Sequence, residues 1–512
     1  MVELLLFAVV FVLFVIDVFF LFYYGVHCYA MIYLFLKNKQ RCVTDEKTLN
    51  SLREKMGDWP TVTIQLPIFN EYYVVERLLE SAANVKYPKD KLEIQLLDDS
   101  TDETKELAAA KISQLVKQGF NAKHIHRTNR VGHKAGALKE GLVVAEGEFI
   151  AVFDADFLPA PEFLEKTVPY FFQKDDIGMV QTRWGHINSE YSLLTEAQAI
   201  GIDGHFTIEQ VARNGGRLWM NFNGTAGIWK KECIYDAGNW QSDTLTEDFD
   251  LSYRAELNGW KFIYLVDVIN PAELPATIPA YKSQQFRWCK GSIQTAVKLI
   301  PRILRSNEST AIKVEALTHL TSYSVHPLMI LNILLTLPLL YLFQTVTFIN
   351  VNSFYIFGAT LSIGTFGPIS MYIVALYNLY PNWKQKLVKL PLLTVLGTGI
   401  AINNTKAWLE ALMGIKSSFI RTPKLAIGNK AENLNKKAKY NNTKIGLVPM
   451  LELSLAVYII FTIHTAILMG TYFIVPFLLL YAAGFLYVGF QTLQETTKSL
   501  KQKKADVKSA VA

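Results

Sequence analysis

Charge is scarce in this 512-residue chain. Only 19% of its residues are Asp, Glu, Lys or Arg, while 51% are hydrophobic and the mean hydropathy is +0.19. That balance is too apolar for an ordinary soluble protein and too polar for a bundle made only of membrane spans. Cysteine is nearly absent: Cys28, Cys42, Cys233 and Cys289 are the only four, without metal-type spacing. This argues against a disulfide framework and for free thiols in a reducing compartment. Acidic residues are rare beyond residue 275, where apolar blocks alternate with lysine-rich loops. Positive loops beside spans account for the net charge of +6, so no nucleic-acid partner is implied. A basic n-region is also missing. The chain opens Met1-Val2-Glu3, and its first apolar block, 4–36, is too long for a signal peptide.

What is present reads as one globular domain spliced between membrane segments. Residues 1–36 form a transmembrane helix, since about 20 residues suffice to cross. Asp17 in mid-block is costly in lipid, and either faces other helices or snorkels to the surface. Lys37, Lys39 and Arg41 place the following linker, 37–60, in the cytoplasm. From 61 to 291 short runs of β-formers (Thr61–Leu66, Leu92–Leu97, Glu148–Phe153, Ile177–Thr182) alternate with helical stretches such as Thr104–Lys117. That alternation predicts a mainly parallel α/β sheet, with ligands at the C-terminal ends of its strands. In 292–322, Ile293, Ala296, Val297, Ile300 and Leu304 share one helical face and Lys298, Arg302 and Arg305 another, the pattern of a helix on a membrane surface. Further spans are expected near 323–345, 355–379, 447–468 and 471–491. Residues 391–413 are long enough to cross, but both flanks are basic and Asn403, Lys406 and Glu410 form a polar stripe. An interfacial or re-entrant helix is expected there, leading into a basic loop up to 446. The result is about five spans, an outside N-terminus and a basic cytoplasmic tail, 492–512.

Four clusters carry possible chemistry. Asp154-Ala155-Asp156 sets two carboxylates at a strand end, a pattern suited to Mg²⁺ shared with substrate phosphates, although a polar loop reads the same way. Asp98-Asp99 also follows a strand, and either caps the next helix or holds a sugar hydroxyl or base amide. Arg127, Arg130, His133 and Lys134 precede a helix among glycines, as a phosphate site or a solvated charge run. Thr246-Glu247-Asp248-Phe249-Asp250 precedes the amphipathic stretch Leu251–Asn258. One of its acids can act as a general base, and the local sequence does not say which. Where water gives way to lipid stand Gln284, Arg287 and Trp288, within the run Ser283–Gly291. Trp288 offers a flat apolar face for a sugar ring, and Arg287 a rigid fork for anionic oxygens.

Taken in order, Gln65-Leu66-Pro67-Ile68-Phe69-Asn70-Glu71, Leu97–Asp102, Phe153–Phe157, Phe222–Gly227, Thr246-Glu247-Asp248 and Gln284-x-x-Arg287-Trp288 resemble a processive family 2 glycosyltransferase. The likeness is to plant cellulose synthase-like mannan and glucan synthases and bacterial relatives. It implies a GT-A (Rossmann-like) domain inserted in an α-helical transmembrane region. It also implies site roles. Glu71, Asp98, Asp99, Lys134 and Asp154 would contact the donor. Asp154 and Asp156 would work with Mg²⁺ or Mn²⁺. Asp248 would be the base beside Glu247, and Gly224, Thr225, Gln284, Arg287 and Trp288 would meet the acceptor. Phe419, Arg421, Thr422 and Lys424 resemble the family's gating loop. They depart from its cellulose synthase form, in which Val precedes the Thr and another residue precedes the Lys. The expected reaction is inverting transfer of a hexose from UDP-glucose or GDP-mannose to a growing β-glucan or β-mannan, with translocation. The alternative is a glycolipid synthase using a membrane lipid as acceptor. Membrane lipids are the expected surroundings, and the plasma membrane the location if the source is bacterial.

Overall fold

The computed structural model describes residues 2–345, 351–417, 424, 426 and 446–511. Seven strands form one sheet: β1 (Val62–Ile68), β2 (Leu92–Asp98), β3 (Asn121–His126), β4 (Phe149–Val152), β5 (Ile177–His186), β6 (Gly227–Lys230) and β7 (Lys261–Ala272). Their order is β3-β2-β1-β4-β6-β5-β7. Only β6 runs antiparallel to its neighbours, so the sheet is mainly parallel, as alternation of strand and helix predicts. β1 pairs with β2 on one side and β4 on the other. Strand order therefore reverses at β1/β4, which opens a crevice at the C-terminal strand ends. The central strands are buried on both faces, which is why Ile64, Leu66, Ile94, Leu96, Ile150 and Val152 all read as apolar.

Three elements escaped the sequence reading. β3 is a polar edge strand, Asn-Ala-Lys-His-Ile-His, and lacks a β-former run. β6 has four residues. β7 is an edge strand whose pairing with β5 is interrupted by register shifts. The acids at 247–250 also do not precede their helix. Glu247–Leu257 is helical from Glu247 onward, and Glu247, Asp248 and Asp250 occupy its first turn. Acidic side chains there complement the positive helix end.

The largest correction concerns residues 283–305. They are not a hinge followed by a surface helix. A single helix, Ile278–Arg305, runs through both, started by Pro279 in its first turn and by the Thr277 side-chain cap on Ala280 N. The apolar face read as lipid-facing is split. Ala296 and Ile300, with Leu299 and Ile303, pack against Trp219, Phe249, Tyr253, Ala316 and Leu320, and Ile293 is buried, whereas Val297 and Leu304 stay exposed. Helical periodicity finds an apolar stripe but cannot say whether protein or lipid covers it.

Among the described residues four helices are long and apolar enough to cross a membrane: Leu5–Cys42, Thr310–Phe343, Val448–Leu468 and Tyr472–Lys501. A fifth is possible if Trp383–Gly399 and Ala401–Leu412, bent by 42° at their break, count as one. At the break Gly399 closes on Gly484, where an added Cβ would stand 2.4 Å from the Gly484 carbonyl oxygen. Of the polar stripe expected on the second half, Asn403 and Glu410 turn inward while Lys406 stays exposed. Asn403 Nδ2 donates to the Lys282 carbonyl at 3.0 Å and Glu410 pairs with Lys290 at 2.7 Å, so that face docks on the long helix. Asp17 does not snorkel. It is 1% exposed, and its Oδ2 accepts from Asn332 Nδ2 at 3.0 Å.

Candidate active site

An open cleft lies at the β1/β4 switch, where the strand order reverses. Its lining includes Phe69, Glu71, Asp99, Arg130, Lys134, Asp154, Asp156, Arg287 and Lys424. Residues from several strand ends, two helices and a remote loop thus meet at one place.

Lys134, in the first turn of helix His133–Val144, is the centre of charge. Its Nζ lies 2.7 Å from Asp154 Oδ1, donates to the Gly224 carbonyl at 2.7 Å and stands 3.7 Å from Glu247 Oε1. Burial alone would lower its pKa, but Asp154, Glu247 and Asp248 hold it well above the ordinary lysine range. Asp248 is shifted the other way. Burial, then the charge of Glu247, raise its carboxyl to about 7 against the pull of Lys134. A carboxylate with a pKa near neutrality suits proton abstraction. Gly224 has φ +79, and a Cβ there would come within 3.0 Å of Asp248 Oδ2. Only glycine leaves this approach to the base open.

Gln284, Arg287 and Trp288 fall at i, i+3 and i+4 of the long helix and share one face. Arg287 reaches the cleft. Burial lowers its pKa to about 10, opposed by Asp154, Asp156 and Glu247. Gln284 and Trp288 are half-buried. One turn on, Gly291 packs against Thr246, where a Cβ would meet the threonine side chain at 2.5 Å. This contact sets the long helix directly against the start of the helix that bears Glu247 and Asp248. Nothing in the local sequence signalled Gly291.

Two expected binding residues have other employment. Asp98 is fully buried and does not line the cleft. Its Oδ1 accepts from Ser100 N at 2.8 Å and its Oδ2 pairs with His124 Nε2 at 2.9 Å. Burial would raise its carboxyl, but these bonds outweigh it and hold the pKa below the ordinary range. Thr225 is likewise buried. Its Oγ1 accepts from Asp154 N at 2.9 Å, so it orients the Asp154 loop. Asp99 does line the cleft, with both oxygens gripped by Arg127 at 2.7 and 2.6 Å. Of the basic run, Arg127 therefore serves the scaffold, while the Arg130 guanidinium lies 3.3 Å above the Phe69 ring. Asn70 and Arg130 both take left-handed backbone, φ 56 and 45, a strain that tends to collect at functional sites. Phe419, Arg421 and Thr422 lie outside the described residues. Lys424 is described, and its ammonium pairs with Asp156 Oδ2.

The donor set is compatible with a divalent cation. Asp154 and Asp156 flank Ala155 just beyond β4, and Asp156 Oδ1 is buried without a hydrogen-bond partner among the described residues. Its other oxygen is paired with the Lys424 ammonium. No three His, Cys, Asp or Glu side chains converge among the described residues, so two carboxylates would need diphosphate oxygens to complete a shell.

Residues 60–291 match the family model described as glycosyltransferase like family 2. The chain is 42% identical over 261 residues to glucomannan 4-beta-mannosyltransferase 2 of Arabidopsis thaliana, covering 50% of this chain and 49% of the relative. This chain thus spans about half the length of that relative. It is 31% identical over 468 residues to glucomannan 4-beta-mannosyltransferase 1 of Cyamopsis tetragonoloba, covering 89% and 86%. Among solved structures it is similar to the mannosyltransferase PcManGT from Pyrobaculum calidifontis in complex with GDP-Man and Mn²⁺. The TM-score is 0.44 and the identity 17%, over 77% of this chain and all of that one.

Proposed function

The chain belongs to the family 2 glycosyltransferases, and from that membership we propose that it is a membrane-embedded, inverting hexosyltransferase that extends a β-mannan type polysaccharide. The observation that carries this is the cluster of Lys134, Asp154, Glu247, Asp248 and Arg287 around one cleft on an α/β domain joined to apolar helices. The mannosyltransferase names of the relatives favour GDP-mannose over UDP-glucose as donor.

In this reading the diphosphate rests between Lys134, Arg287 and the Asp154–Asp156 pair. Asp154 and Asp156 would hold Mg²⁺ or Mn²⁺, and that ion supplies Lewis-acid stabilisation of the leaving diphosphate. Glu71, Asp99 and Arg130 surround the nucleoside end. Asp248 takes the proton from the acceptor hydroxyl as its oxygen bonds to the anomeric carbon. The bond from that carbon to the phosphate oxygen breaks, and nucleoside diphosphate leaves with the electron pair. One base and one displacement invert the anomeric centre, so an α-linked donor gives a β-linked product. Lys134 and Arg287 meet the developing charge with preorganised cations. Trp288 and Gln284 bear on the acceptor sugar. The Lys37–Arg41 cluster after the first helix supports a cytoplasmic catalytic domain, and the apolar helices support passage of the product across the membrane. In a bacterium this would be the plasma membrane.

Membranes carrying the protein, given radiolabelled GDP-mannose and UDP-glucose separately, test the reading. The expected product is a mannanase-sensitive polymer formed from GDP-mannose. An organic-soluble product would favour a lipid acceptor instead. No incorporation from either donor, or full turnover by Asp248→Asn, would overturn the assignment.

A further inference from the structure

The long helix Ile278–Arg305 has two working faces. Gln284, Arg287, Trp288 and Gly291 lie on the face toward the cleft. Ile278, Lys282, Cys289 and Ile293 recur at 4, 7 and 4 residues and lie on the opposite face. That second face is tied to the apolar helices. Ile278 N donates to Glu495 Oε2 at 2.9 Å, and Cys289 Sγ to the Asn404 carbonyl at 3.2 Å. Between them the Lys282 ammonium meets Glu452 Oε1 at 2.6 Å, with Thr492 Oγ1 at 3.5 Å and Asn403 on the Lys282 carbonyl. The two side chains are 7% and 0% exposed. Glu452 lies in the helix Val448–Leu468, and Thr492 and Glu495 in Val475–Val511.

A buried ion pair is a poor way to gain stability. Desolvating both charges offsets most of their attraction, and apolar residues of similar volume often do as well or better. What the pair does supply is register. A shift of the long helix by even one residue would strand an ammonium and a carboxylate in the protein interior.

We propose that Lys282 and Glu452 are positioning residues, a buried pin that fixes the long helix against the membrane helices and so sets where Arg287 and Trp288 stand over the cleft. Lys282 precedes Arg287 by five residues on one rigid helix, so displacement at the pin is carried to the cleft face undiminished. The proposal rests on the glycosyltransferase reading, in which that face grips the acceptor. It adds that the grip is set from inside the membrane bundle.

The test compares wild type, Glu452→Gln, and the apolar exchange Lys282→Met/Glu452→Met in detergent-purified full-length protein. Three quantities are read: melting temperature, release of nucleotide from GDP-mannose without acceptor, and transfer to a soluble β-1,4-mannohexaose. Glu452→Gln is expected to melt earlier. The double variant is expected to melt at or above the wild-type temperature, since no charge is left unpaired. If the pin sets position, the double variant still loses about tenfold or more in kcat/KM for the hexasaccharide, as small misplacements typically cause. Its acceptor-free nucleotide release also falls, because Arg287 bears on the diphosphate, but by clearly less than transfer, because Gln284 and Trp288 bear on the acceptor alone. Recovery of transfer together with melting temperature would reduce the pair to a structural contact and overturn the proposal. Equal loss of nucleotide release and transfer would overturn it as well, because no effect on the acceptor grip of Gln284 and Trp288 would then remain. A wild type that transfers nothing to the hexasaccharide while releasing no nucleotide overturns the glycosyltransferase reading first, and the pin with it.

Discussion

Replacing Lys134 with Met removes a cation that stands between Asp154 and the acids Glu247 and Asp248. Its Nζ stands 2.7 Å from Asp154 and 3.7 Å from Glu247, and its charge also lowers the pKa of Asp248. Two effects should separate. The diphosphate loses a donor that acts in the transition state, which typically costs about 10²–10³ in kcat at every pH. Independently, Asp248 loses the charge that opposes its desolvation and the repulsion of Glu247. An opposite charge at this range moves a carboxyl by about 1–3 pK units. The base works only when deprotonated. In wild type, with Asp248 at about 7, kcat/KM should therefore fall as pH drops below neutrality. In Lys134→Met that acidic limb should move upward by about 1–3 pH units, so that at pH 7 a further loss of about 5- to 500-fold is added to the flat one. The assay is initial-rate nucleotide release from about pH 5.5 to 9 with acceptor and Mn²⁺ in excess. Asp248→Asn serves as control, because it should remove the limb together with the activity. A flat loss with an unmoved limb would mean that Lys134 serves the diphosphate alone, and that Asp248 is not the titrating base.

The remaining predictions need less arithmetic. Gly291→Ala should drive a methyl into Thr246, whose side chain lies 2.5 Å from the ideal Cβ, at a cost of about 1–3 kcal/mol for overpacking. The expected readout is a lower melting temperature with a larger fall in turnover than in donor affinity, and unchanged turnover would refute the packing argument. Asp156→Ala should abolish transfer and Mn²⁺ binding by electron paramagnetic resonance in the presence of GDP-mannose, while membrane insertion is retained. Activity that survives EDTA would count against a metal role. Asn332→Leu deprives Asp17 of its 3.0 Å donor inside the apolar bundle and should cost about 1–3 kcal/mol, with stability restored when Asp17→Leu is added. If Asn332→Leu alone leaves thermal unfolding unchanged, Asp17 has another partner. Trp288→Ala should raise KM for a soluble oligosaccharide more than KM for GDP-mannose, and equal losses would make the ring a packing residue only.

The parts of the site that could be read from sequence are those whose signal is local. A strand buried on both faces writes itself as an apolar run, and the acids at the ends of β2 and β4 then fall at the sheet's C-terminal edge by geometry alone, whereas Glu71 is reached only through the family resemblance. The helix Thr104–Lys117 has the bounds its pattern predicts, because a turn rich in Asp and Ser and a terminal Lys-Gln-Gly mark both ends. Asp98 and Asp99 show where local signal ends. Adjacent residues at a strand end point to opposite sides, so both could not face one ligand. Which one turned inward depended on His124, on an edge strand too polar to be recognised as a strand, and on Arg127 just beyond it. Thr225 misled for a similar reason. Its motif is right, but a buried hydroxyl bonds whatever is nearest, and here that is the backbone of Asp154.

The same limit explains the long helix, and it bears on how such a chain works. Read alone, Ser283–Gly291 looked like a boundary between water and lipid, and Ser292–Arg305 like a helix floating on the surface. In the fold they are one rod of 28 residues whose apolar stripe is mostly buried, with Val297 and Leu304 left exposed. Its partners, Glu410, Glu452 and Glu495, lie between 120 and 217 residues downstream of the positions they bind. Those three are among the few acids of the C-terminal half, and each is spent on this helix. A region that is apolar almost throughout therefore places its scarce carboxylates against the element that carries Arg287 and Trp288. Scattered acids in apolar segments invite a reading as isolated costs of membrane burial. Their shared target gives them a common role. On the proposed reading, the face that carries Arg287 and Trp288 cannot move without breaking charge pairs with the apolar helices, and rearrangement of those helices is felt at the cleft.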